Sequence, residues 1–447
     1  MKASKILAAA AMLTLAASGS AFAFHDGGVA YCDGCHTMHN SSGNAAMTKN
    51  TAQFQGNKYL LKGSDDSSTC LNCHSGATLS GYHVMTYPAP AVNASAPVNR
   101  TPGGDFAWLT QTFPAAGRSA VSLGERHGHN VVAADFGLTP DTKLLVAPGG
   151  QYDTAALSCA SCHDPHSRAR VVDAAGTIAY AIPGQKVLPI GTYGSYGDLP
   201  TANEAVGVYR LLGGANYSQM SYVNPLPFNA DPPVAVAPKT YNRSEATADT
   251  RVAYGQGMSE WCANCHRTIH VDATNAANTA LIHPAGNGAL LTAAANDLQG
   301  NGTGTTIAAL YNVYKNSGDL TGTVATSYSS LVPYEEGTKD IATLLSHADI
   351  TGTVTAGPST GTENVMCLSC HRAHASGFNS MTRWSNTTDF LTVANAYPDF
   401  AAGAGTESYD NSTGMNQAVY AAAMYDQPAT KFAYSQRSLC NKCHAKD

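Results

Sequence analysis

Twelve cysteines stand in six pairs, Cys32/Cys35, Cys70/Cys73, Cys159/Cys162, Cys262/Cys265, Cys367/Cys370 and Cys440/Cys443, each with two residues between. A histidine follows every second cysteine: His36, His74, His163, His266, His371 and His444. Cys-x-x-Cys-His is the attachment signature of haem c. The two sulfurs form thioethers with the macrocycle, and the adjacent imidazole ligates the iron from one face. No cysteine is left over for a disulfide. Zinc ribbons set their two Cys-x-x-Cys units about 15–20 residues apart, whereas these pairs are far more widely and unevenly spaced. A thioredoxin-like dithiol is disfavoured by the histidine behind every pair and by the lack of a βαβ pattern.

The other face of each iron separates an electron carrier from a reactive centre, because only a five-coordinate iron offers a place to bind substrate. Of the 16 histidines, ten remain after the six proximal ones: His25, His39, His83, His127, His129, His166, His270, His283, His347 and His374. This supply favours two histidines on every iron over histidine with methionine, a pairing that raises the potential. His39 in CHTMH, His166 in CHDPH, His270 in CHRTIH and His374 in CHRAH trail their motifs by three or four residues. That spacing returns to the same helix face, so such a histidine cannot wrap round its own haem but can reach a neighbouring one. His129 in GERHGHNVV and His283 in LIHPAGNG are the other favoured distal ligands, on loops. His25, His83 and His347 form a second tier. His127 reads as a solvated residue.

The elements that position these groups are expected to be slight. The chain has 447 residues, 42 glycines, 21 prolines and 13% charged residues, about half the usual charged share. Helical periodicity is poor outside short stretches such as residues 306–314 and 416–424. Mostly irregular backbone with short α-helices and a few short strands is therefore expected, with a core built around six stacked haems. The uneven motif spacing argues against a solenoid. Asp65-Asp66 reads as a solvated loop, GNGTG at residues 300–304 as a turn, and the 22 tyrosines as packing. A net charge of −6 excludes a nucleic-acid footprint.

Residues 1–23 combine Lys2 and Lys5, an apolar run over residues 6–17 and an Ala21-Phe22-Ala23 cleavage site. They read as a cleaved secretory signal peptide. The apolar run falls short of the roughly 18 residues a transmembrane span requires, and no later segment reaches that length. Residues 24–447 then form one exported hexahaem unit.

The mature chain resembles the hexahaem outer-surface c-type cytochromes of metal-reducing bacteria that polymerise into extracellular nanowires. The resemblance rests on FHDGGVAYCDGCHTMHN, TPGGDFAW, GHNVVA, CHDPHS, YNRSEAT, RVAYGQGMSEWCANCH, HPAGNGA, CLSCHRAHASGF and LCNKCHAKD. Residues 85–98 and 195–240 depart from it. It implies six haem c groups in a continuous file of alternating stacked and T-shaped pairs through a filament. It also implies that His39 ligates the haem of Cys367, Cys370 and His371 in an adjacent protomer. The expected function is extracellular electron transfer to metal oxides, partner cells or other outer-surface cytochromes, without catalysis. A multihaem reductase with one open iron and a monomeric periplasmic shuttle are the alternatives. The shortage of charge is expected to reflect burial between protomers.

Overall fold

The computed structural model describes residues 32–39, 41–42, 45–46, 59–79, 83–116, 119–166, 170–172, 178–180, 211–219, 226–236, 245, 251–269, 284–293, 305–314, 323–348, 354–400 and 413–444. The expected signal peptide over residues 1–23, the expected turn at residues 300–304, and His25, His270 and His283 lie outside them. Among the described residues the longest helix is Asp66–His74, and none is long and apolar enough to cross a membrane. Strands occur in two-stranded pairings only: Ser41–Ser42 with Ala45–Ala46, Arg170–Val172 with Ile178–Tyr180 and Ala235–Val236 with Ala253–Tyr254 are antiparallel. Ser75–Gly76 runs parallel to Met85–Thr86.

Local capping explains where the short helices begin. Thr306 and Asn416 are the N-caps of Ile307–Val313 and Gln417–Ala423, each accepting from a backbone amide in the first turn. Such a cap is worth about 1 kcal/mol. Asp65 does the same for Asp66–His74 by accepting from Ser68 N at 2.7 Å, and its second oxygen accepts from Ala134 N at 2.7 Å. The Asp65-Asp66 pair is thus a helix start pinned to a distant loop, which corrects the solvated-loop reading.

The largest apolar cluster gathers Trp108, Phe113, Tyr311, Tyr328, Trp384 and Tyr420, all nearly or fully buried. A second joins Phe228, Tyr254, Met258, Trp261 and Leu368 around the third, fourth and fifth cysteine motifs. The tyrosines pack here as expected. Charge is scarce in this chain, yet some of it is buried: Arg372 and Arg383 both donate to Glu245 Oε2, at 3.1 and 3.3 Å. Arg251 donates to Glu336 Oε1 at 2.9 Å. Buried ions of this kind require partners, because removing one leaves an uncompensated charge.

Asp105 ties the loops together. Its buried carboxylate accepts from Thr86 N and Oγ1, Asn99 N and Nδ2, and Ala107 N. The Gly103-Gly104 turn just before it lies against residues 374–375: His374 N donates to Gly103 O at 2.7 Å, and a Cβ on Gly103 would stand 2.8 Å from His374 Nδ1. Gly104 has φ +96°, and a Cβ there would strike Ala375 O. Asp105→Ala would strand several buried donors at once. It should cost about 3 kcal/mol or more, read as a lowered urea midpoint at unchanged haem content.

Candidate functional site

Every Cys-x-x-Cys segment starts or lies within a short helical turn: Cys32–Cys35, Asp66–His74, Cys159–Ser161, Met258–Cys262, Cys367–Cys370 and Leu439–Lys442. All twelve thiols are free of disulfides. The motifs follow one another in space as they do along the chain. Cys35 lies within electrostatic reach of Cys73, Cys162 of Cys265, and Cys370 of Cys443. Cys70 and Cys159 share a thiol hydrogen bond that pushes Cys70 up and Cys159 down, and Cys262 is pushed up by the same contact with Cys367. Contacts through second cysteines thus alternate with contacts through first cysteines, which gives a single file with two kinds of joint.

The joints through first cysteines are built alike. Ser67, three residues before Cys70, accepts from Cys159 N at 3.1 Å. Ser259, three residues before Cys262, accepts from Cys367 N at 3.1 Å. In the receiving turns, Ser161 Oγ accepts from Ser158 N at 2.9 Å and Ser369 Oγ from Met366 N at 3.1 Å.

A threefold repeat also appears at the odd-numbered motifs. The backbone at His36, His163 and His371 forms an antiparallel bridge to Leu61, Leu212 and Thr382. The residues just before these partners, Leu60, Leu211 and Met381, are all left-handed, with φ 58°, 53° and 48°. Their carbonyls accept from Thr37 N, Asp164 N and Arg372 N at 2.6, 2.7 and 2.9 Å. Uneven loop lengths hide this unit from a search for regular spacing. A sequence signal was nevertheless present: only the first, third and fifth motifs read Cys-x-x-Cys-His-x-x-His.

Histidine rings meet across long sequence distances. A ring nitrogen sits about 2 Å from a metal it ligates, and about 1 Å more separates it from the ring centre. Two imidazoles on opposite sides of one iron therefore have centres about 6 Å apart. His36 and His166 are 6.3 Å apart and nearly parallel, at 12°. His129 and His266 are 6.2 Å apart, and His163 and His374 are 6.5 Å apart. Burial, with His266 alongside, holds His129 down to about 4. Burial, with His163 alongside, holds His374 down to about 3. Both rings are therefore neutral at pH 7 and carry a lone pair for a metal. The residues fit a covalently held haem between each pair.

Ring orientation agrees with that fit. Nδ1 is engaged by a carbonyl at His36 (Tyr59 O, 2.8 Å), His129 (Ala373 O, 2.7 Å), His266 (Pro148 O, 2.9 Å) and His371 (Ser380 O, 2.8 Å). Such a bond fixes the tautomer and turns Nε2 toward the metal. His83 Nδ1 lies 3.1 Å from Thr78 O, and His347 Nδ1 lies 2.9 Å from Glu336 Oε2. His39 is exposed just beyond the first motif. His127 is not the solvated residue expected. It is fully buried, with Nδ1 3.0 Å from Trp108 O and Nε2 2.8 Å from Ser122 Oγ, so both nitrogens serve the core.

No protein-family model matches the chain. It is 50% identical over 454 residues to the C-type cytochrome OmcS of Geobacter sulfurreducens, across 100% of this chain and 99% of that protein. Two solved structures share a TM-score of 0.77 and cover 95% of this chain and 100% of their own. One is the OmcS nanowire of Geobacter sulfurreducens determined by cryo-EM, at 49% identity, and the other the outer membrane cytochrome S filament of the same organism, at 50%.

His127→Ala should leave the visible spectrum of all six irons unchanged while lowering stability by about 2 kcal/mol or more, since a buried ring and two hydrogen bonds are lost. His129→Ala should instead convert one iron of the six to the high-spin form. A pH effect is expected at Glu335, beside the helix that carries Cys262: burial pushes it up to about 7, against bonds from Gly257 N and Met258 N. The folded chain holds this proton while the unfolded chain releases it near 4.5, so the group's contribution to stability falls as pH rises from about 4.5 to 7. Glu335→Gln should flatten that part of the stability profile in denaturant titrations.

Proposed function

The chain belongs to the family of the c-type cytochrome OmcS, and we propose on that premise that its copies join head to tail into an extracellular filament that carries electrons to external acceptors. One observation carries this reading. The trailing histidine of the third motif, His166, faces His36 of the first, and the trailing histidine of the fifth, His374, faces His163 of the third. Each odd motif thus serves the odd motif before it. Continued by one more step, this register needs a further Cys-x-x-Cys-His-x-x-His segment opposite His371. The first motif of a second copy supplies one, with His39 as the ligand. A contact of this kind does not close on itself, so it propagates as an open filament.

The ends of the chain support the same conclusion. Inside the protomer, first cysteines meet in pairs. Cys32 and Cys440, the two left over, are both exposed at opposite ends of the file. They are the halves of one more joint.

The chain is a c-type cytochrome with six haem c groups. Bound haem supplies a one-electron iron couple, and close placement of six of them provides an unbroken route for electrons. The twelve cysteines hold these groups covalently. The proximal ligands are His36, His74, His163, His266, His371 and His444. Opposite them stand His166 for His36, His374 for His163, His129 for His266, and His39 of the neighbouring copy for His371. The irons beside His74 and His444 draw their second ligand from His25, His83, His270, His283 and His347. With both axial positions filled, no iron offers a place for substrate, which makes the protein a carrier and not an enzyme. The leader at residues 1–23 fits export, and the outer surface is where such a filament meets metal oxides, partner cells or other cytochromes. Burial between copies accounts for the low charge.

His39→Ala should abolish filaments in negative-stain micrographs and turn one iron in six high-spin. His166→Ala should also turn one iron high-spin, but leave filaments intact, because its partner lies in the same chain. Filaments of normal length from His39→Ala would overturn the assignment.

A further inference from the structure

We infer that the joint between copies is held by an ion pair, Arg437 of one copy with Asp33 of the next, where the two joints inside each copy use a serine hydroxyl. This rests on the head-to-tail reading above and specifies its contact. The internal joints define the positions. In each, the residue three before the first cysteine of an even motif, Ser67 or Ser259, reaches the turn that opens with the first cysteine of the next odd motif. The residue after that cysteine is Ala160 or Leu368. At the second internal joint Leu368 shares an apolar cluster with Met258 and Trp261 of the opposing helix, so this position looks onto the partner segment.

The corresponding positions at the chain's two ends carry different chemistry. Three residues before Cys440 stands Arg437, half-buried, with its guanidinium carbon 4.8 Å from the centre of the Phe390 ring. The residue after Cys32 is Asp33, exposed in the first turn of Cys32–Cys35. The inner serine clamp is also missing, because Gly34 takes the place of Ser161 and Ser369. Where the internal joints have a serine and an apolar residue at these two positions, the outer ends have a cation and an anion, with opposite signs at the two ends of one chain. Identical copies are then complementary head to tail, whereas head-to-head and tail-to-tail encounters set like charges together and are disfavoured. A pair at a contact between copies responds to salt, unlike the serine joints, so ionic strength adjusts filament length without loosening the protomer.

The test is assembly of the full, haem-loaded chain, followed by sedimentation and negative-stain microscopy, with absorbance reporting haem content and spin state. Asp33→Arg alone and Arg437→Asp alone should each raise the protomer concentration needed for assembly by about tenfold or more. The double variant Asp33→Arg with Arg437→Asp should restore it. The neutral double variant Asp33→Asn with Arg437→Gln should assemble with a much weaker dependence on salt. Single reversals that assemble like the parent, or a double reversal no better than either single one at full haem content, would overturn the ion pair and leave the filament standing. A parent chain that forms no filaments would overturn the head-to-tail reading itself.

Discussion

An iron with two imidazoles must receive them from opposite sides, on rings whose centres lie about 6 Å apart. On the proposed ligation, that requirement governs the rest of the molecule. A trailing histidine on the motif's own turn cannot satisfy it, so the second ring comes from a remote segment. His166 arrives opposite His36, His374 opposite His163, and His129 opposite His266. The loops that deliver them are held by backbone bridges, by the Asp105 carboxylate and by glycines that let chain and ring approach, and not by long helices or sheets.

The same constraint explains why regular secondary structure is so limited. Four two-stranded pairings and helices of nine residues or fewer are all that the described residues contain. What repeats is the surroundings of the cofactor: a bridge at each odd-numbered proximal histidine, a left-handed residue just before its bridge partner, and a serine clamp from the second and fourth motifs to the motif that follows. Loop length varies freely between these fixed points. The architecture is thus periodic in its contacts and aperiodic in its sequence.

Much of the chemistry was legible before any coordinates. The cysteine pairs and their histidines are local signals, as are the capped helices after Thr306 and Asn416. Long-range pairing was not legible. His127 and His129 stand two residues apart with similar flanks, yet one is locked into the core by Trp108 and Ser122 while the other faces His266. The sequence marked His129 as a ligand but carried no sign that His127 would be a core residue, because its partners Trp108 and Ser122 are brought to it by the fold. The same holds for Asp65, whose second partner, Ala134, belongs to a distant loop.

The direction in which second ligands are supplied also sets an order of maturation. His36 comes early in the chain, but the ring that faces it comes from residue 166, and the ring that faces His163 from residue 374. During synthesis these two sites must wait for a later stretch of chain, whereas His266 meets a ring already made, His129. On the proposed head-to-tail reading, in which His39 comes from the next copy, the site at His371 would wait for another molecule. Completing a protomer and lengthening the filament would then be one event. On that reading the copy at one tip would always hold an unfinished site, and the two ends of the fibre would differ chemically from each other and from its shaft.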